Sequence, residues 1–185
     1  MATSRIEDAR DEIIAEFATI SVANGFRTTP VRVINAIRRV DDITDFPEIG
    51  VELGPEDVKF LDDNWTVADT TATIFVQGAT QSNGPKDYTA SELIDATEAL
   101  RHDIKRIIYR IMKKYINASL SAWNVTPKQQ IRTFPLVGLT ERRNKAAVYA
   151  QFTIRVRHQG STFIDNADAQ DFGTTGGGTI DGGFF

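Results

Sequence analysis

The chain of 185 residues has no cysteine, only two histidines and two methionines, and no apolar run near the length of a membrane helix. Without cysteine there can be no disulfide, thiolate metal site or cysteine nucleophile, and folding inside a cell suits this composition. His102 and His158 have no second histidine or paired carboxylate at ligand spacing, so both read as surface groups and no metal site is expected. Arg5, Glu7, Asp8 and Arg10 interrupt any apolar stretch at the start, which argues against a signal peptide. A spanning helix needs about 20 apolar residues. A soluble protein without membrane contact is expected.

Catalytic motifs are missing too. Gly176 to Gly178 is followed by no Gly-Lys-Ser/Thr, and there is no Gly-x-Ser-x-Gly elbow. The acidic pairs Asp41–Asp42, Glu56–Asp57 and Asp62–Asp63 do not fit a 12-residue calcium loop with a closing glutamate, so they read as solvated loops. We expect no cofactor and no enzyme activity.

What the chain does have is enough apolar residue, 41%, to bury one core. The strongest pattern is TASELIDATEALRHDIKRIIYRIMKKYI, Thr89 to Ile116, whose Leu93, Thr97, Leu100, Ile104, Ile107, Ile108, Ile111, Met112 and Tyr115 recur at steps of three or four. Thr89 and Glu92 have capping-box spacing, and acids precede bases along the helix as its dipole favours. A first helix is predicted from Ser4 to Ala23, with Ile6, Ala9, Ile13, Phe17 and Ile20 inward and a left-handed stop at Asn24–Gly25.

Strands are predicted at Val31, Val33 and Asn35, at Ile49 to Leu53 ended by Gly54–Pro55, and around Thr71 to Gly78. Two more are predicted at Arg132 to Leu139, where Pro135 requires an edge or a bulge, and at Lys145 to His158. In the last, Val148, Ala150, Phe152, Ile154 and Val156 alternate with Tyr149, Gln151, Thr153, Arg155 and Arg157. The stretch after Asn117 reads as irregular. The fold class is therefore α+β: two main helices backing a mixed or antiparallel sheet of about four to five strands. One domain spans residues 1–160, followed by a flexible Gly-rich extension, 161–185, with six of the thirteen glycines in its last thirteen residues. Phe172, Ile180, Phe184 and Phe185 are either apolar anchors there for a neighbouring subunit or partner, or part of a dispensable linker.

Charge is unevenly placed. Residues 1–100 carry 8 basic and 19 acidic groups, whereas residues 101–157 carry 13 and 2. The blocks can neutralise each other within the domain, or lie on different faces and favour head-to-tail association. Nucleic-acid binding as the main task fits poorly, because the sequence pI is near 5.2 and aromatics do not interleave with the arginines. Arg132, Arg142, Arg143, Arg155 and Arg157 suit a subunit or partner interface better, since the planar guanidinium matches carboxylates.

Taken in order, the helix IEDARDEIIAEFATI, the join ANGFRTTPVRVINAIRRVDD, the strands FPEIGVELG and TATIFVQGA, the long helix and the hairpin ending AAVYAQFTIRVRH resemble the tail-terminator (tail-completion or neck) proteins of tailed bacteriophages, the family of the lambda minor tail protein U. The resemblance covers residues 4–158 and carries no catalytic residues. It implies a six-membered homo-oligomeric ring in the virion neck, assembled in the host cytoplasm. Such a ring caps the tail tube protein, stops elongation, and offers its other face to a head-completion or stopper protein, and in contractile tails to the sheath. DNA passes through without specific binding, and Asp62 and Asp63 are candidate lumen-facing acids. The rival readings are another phage connector, of head-completion or baseplate type, and an enzyme whose site is built from scattered residues.

Overall fold

Apolar residues at helical spacing and long alternating runs produce two helices and one sheet. The computed structural model describes residues 5–61, 67–82, 90–115, 123–125, 132–136 and 145–159. In chain order these form α1 (Arg5–Phe17), β1 (Arg32–Ile34), β2 (Glu48–Phe60), β3 (Val67–Gln81), α2 (Ala90–Tyr115), β4 (Trp123–Val125), β5 (Arg132–Leu136) and β6 (Lys145–Gln159), with 3₁₀ turns at Val22–Asn24 and Val40–Asp42. The sheet order is β1-β2-β3-β6-β4, and β5 joins the same edge of β6 as β4. The six strands therefore occupy five positions across the sheet. β1 runs parallel to β2 and every other pair is antiparallel, so the sheet is mixed and the fold α+β.

The long helix follows its sequence pattern. Leu100, Ile104, Ile107, Ile108 and Ile111 are fully buried against Ile74 and Val76 of β3 and Val148, Phe152 and Ile154 of β6, in a core shared with Ile6, Ile13 and Phe17 of α1. Thr89, its proposed cap, lies outside the described residues. α1 buries the expected Ile6, Ala9, Ile13 and Phe17 but ends at Phe17, six residues before the predicted Ala23. The reason is local competition for the backbone. Thr19 Oγ1 donates to Glu16 O at 2.7 Å, and Ser21 Oγ accepts from Asn24 N at 3.2 Å, capping the separate 3₁₀ turn. Gly25, at φ 77°, closes that turn rather than the helix.

Two strand expectations also change. β2 does not stop at Gly54–Pro55 but continues to Phe60, because a shift of register between Leu53 and Glu56 absorbs the proline that cannot donate to a ladder. β4 occurs within the stretch read as irregular; three residues are too few to show a period. β5 is an edge strand among the described residues, as Pro135 requires; residues 137–139 of the predicted span lie outside them. β3 and β6 pair without interruption from Val67–Gln159 to Gln81–Lys145, and the inward set of β6 is the predicted one. The 161–185 extension lies outside the described residues.

One buried acid sets the position of α2 against the chain before β1. Asp103 is 0% exposed, and its Oδ2 accepts from Arg27 N (2.9 Å), Thr28 N (2.8 Å) and Thr28 Oγ1 (2.8 Å). One turn on, Arg106 Nη1 donates to Gly25 O at 2.6 Å and its guanidinium lies 4.5 Å from the Phe26 ring centre. The segment 25–28 is thus held from both sides. Replacing Asp103 by Ala leaves two part-buried backbone donors and a hydroxyl without their acceptor, so we expect a loss of about 1–3 kcal/mol in urea unfolding. A change under about 0.5 kcal/mol would show that the clamp contributes little.

Candidate interaction surfaces

Successive side chains of a strand point to opposite faces, so β2, β3 and β6 send one set into the core and present the other away from the helices. Residues 36–45 cross part of this second face, at the end formed by Glu48, Ala79 and Ala147. There Arg38 N donates to Gln77 Oε1 (3.1 Å), and Gln77 Nε2 donates to Arg38 O (2.8 Å) and to the Tyr149 hydroxyl (2.9 Å). The Arg38 guanidinium forks onto Glu48, whose side chain is 2% exposed. Lys145 Nζ donates to Ile43 O (2.8 Å) and Asp41 O (3.2 Å), fastening the crossing segment at its far end. Gly50 lets it lie close: a Cβ there would sit 2.2 Å from Ala36 O. These groups satisfy one another and form a structural network.

The rest of the second face carries charge. Register aligns Lys59, Asp69 and Arg157 in one row and Asp57, Thr71 and Arg155 in the next. Asp69 accepts from Arg157 Nε (2.9 Å) and Nη2 (3.2 Å), with Arg155 Nε 3.5 Å away. The Arg157 hydrogen bond, against burial and with help from the Arg155 charge, holds the Asp69 carboxyl below its ordinary 3.8 and Arg157 above its usual range. Two arginines share one carboxylate, and both remain about half exposed.

The helix layer presents the other charged surface. Glu16 of α1 accepts from Arg110 Nη2 and Lys114 Nζ of α2, each at 2.7 Å. Burial tends to raise the Glu16 carboxyl, but hydrogen bonds from Lys114 and Arg110 outweigh it and leave it below 4.5. Part of the charge asymmetry is therefore neutralised inside the subunit, through Glu16 and Asp69. The remainder of the basic block on α2, Lys105 and Lys113, has no partner among the described residues.

Of the arginines singled out from sequence, Arg155 and Arg157 meet at Asp69, and Arg132 stands in β5 opposite Gln151 of β6. Arg142, Arg143, Phe184, Phe185, Asp62 and Asp63 lie outside the described residues. Asp69, Glu16 and Asp103 were not singled out by sequence reasoning. The alternation of β3 places Asp69 on the polar face, but only the β3–β6 pairing brings the arginines to it. Among the described residues no three His, Cys, Asp or Glu side chains gather as a metal site, and no helix is long and apolar enough to cross a membrane.

Since Asp69 and Glu16 are both depressed in the folded state, their contribution is complete above their ordinary values and fades as pH falls through the folded ones. We expect stability to drop as pH falls below about 4, and the Asp69→Asn variant to lose less of its remaining stability over that range than the parent chain. Parallel slopes in urea midpoints against pH would contradict the role given to Asp69.

Compared with protein-family models and with curated proteins, the sequence matches none.

Proposed function

We propose that this chain is a structural virion protein of a tailed bacteriophage, a tail terminator that assembles as a ring, caps the tail tube and joins it to the head-completion proteins. The order of elements on which the resemblance rests supports this reading. The observation that carries it is the placement of charge without a partner among the described residues: acids on β2 (Glu56 and Asp57), cations on α2 (Lys105 and Lys113). Unlike surfaces on one subunit are what head-to-tail contact requires, and head-to-tail contacts of suitable rotation close into rings. In this reading the protein is not an enzyme and holds no cofactor, DNA passes through the ring without specific contact, and the tube, head-completion and, in a contractile tail, sheath proteins are its partners.

Growing tail tubes from purified tube protein with and without this chain tests the reading. Tubes of limited length with a ring of extra density at one end, seen by negative-stain microscopy, are the expected result. Tubes of unchanged length with bare ends, at protein excess, would reject it.

A further inference from the structure

Beyond Gly50, no described strand pairs with the outer edge of β2. This arm carries Glu56 and Asp57, exposed and without a partner among the described residues, beside Val58 (46% exposed) and Leu61 (43% exposed). Its single lysine, Lys59, is directed to Asp69 in the adjacent strand. Register turns Glu56 and Val58 to the side of Ala72 and Thr70 and Asp57 to the side of Thr71, so the free edge of the arm carries an acid on either side and is partly apolar. On α2, Lys105, Tyr109 and Lys113 follow at steps of four and form one row, with Tyr109 63% exposed. At about 1.5 Å per residue the row is about 12 Å long, and the arm from Glu56 to Leu61 is about 17 Å, so one can cover the other.

Within one subunit α1 packs against both α2 and β2 and stands between these surfaces. Asp103, Arg106, Arg110 and Lys114 form the flank of α2 that holds α1 and the 25–28 segment, and that segment leads directly to β1 beside β2. Successive residues of a helix are turned by about 100°, so Lys105 and Tyr109 face away from the β2 side.

We infer that the free edge of the β2 arm of one copy docks on the Lys105–Tyr109–Lys113 row of the next, with Glu56 and Val58 reaching the row from the core side of the sheet and Asp57 from the other side, the carboxylates toward the lysines and Val58 toward the tyrosine. This deepens the ring reading and rests on it. The contact is heterologous: each copy gives an arm and receives one, which repeats around a closed ring. Because Glu56, Asp57 and Lys113 are exposed and Lys105 is half-buried, salt weakens the contact, while the apolar part persists.

A charge-swap experiment on the full chain decides it. Sedimentation velocity at low and high salt is measured for the parent, for the arm variant Glu56→Lys/Asp57→Lys, for the helix variant Lys105→Glu/Lys113→Glu, and for an equimolar mixture of the two variants. Circular dichroism melts confirm that each is folded. We expect the parent to associate, each variant alone to associate roughly tenfold or more weakly, and the mixture to recover, since the acidic helix of one then faces the basic arm of the other. Full association of either variant alone, a mixture that does not recover, or a parent that stays monomeric would overturn the contact. Tube capping, scored separately on the same proteins, shows whether the ring reading fails with it: variants that still form rings and cap tubes reject this interface and leave the tail-terminator reading standing.

Discussion

The Asp103 carboxylate is where the helix layer and the sheet edge are tied together. A carboxylate without solvent is costly unless donors surround it, and here two backbone N–H groups and a hydroxyl converge on one oxygen. Their spacing requires the chain to turn at Arg27 and Thr28, and that turn delivers β1 to its parallel place on β2. Once the turn is fixed, α1 has only one flank of α2 to lie on. Glu16 then sits under Arg110 and Lys114, while Lys105 and Lys113 have no partner among the described residues.

The second constraint is the β3–β6 pair, fifteen residues with an unbroken register. One face of that pair is the floor of the core. The other gathers groups far apart in sequence, Asp69 with Arg155 and Arg157, and, through the segment 36–45, Arg38 with Glu48, Gln77 and Tyr149. The Arg38 grouping is possible because a small residue allows close approach: Gly50 admits the backbone of Ala36. On the core face Gly78 does the same for Leu100 and Ile104 of α2, whose methyl carbons would lie within 3 Å of an added Cβ.

How much of this could be read from the sequence depends on the range of the interaction. The stripe of α2 and the alternation of β6 are local periodicities repeated many times, and the buried sets of both were legible. The end of α1 was not, because it turns on whether Thr19 and Ser21 bond to neighbouring backbone or continue the helix, a balance of about a kilocalorie. The continuation of β2 through Gly54 and Pro55 was hidden because those residues mark a turn and a bulge equally well. The candidate surfaces were legible only as a surplus of charge: Arg155 and Arg157 could be seen to share a face, whereas Asp69 enters through pairing across 88 residues, which no local pattern encodes.

The bulge in β2 has a further consequence. A long outer strand with free amides and carbonyls is a template for uncontrolled strand addition, the first step of aggregation. Here Gly54 and Pro55 break the hydrogen-bonding rhythm midway, and Glu56, Asp57 and Lys59 follow at once. Backbone pairing with a second sheet is discouraged along the whole arm, and what remains for recognition is side-chain chemistry. Contacts of that kind form and release reversibly, so a chain built this way tolerates high concentration without its β2 arm seeding strand addition.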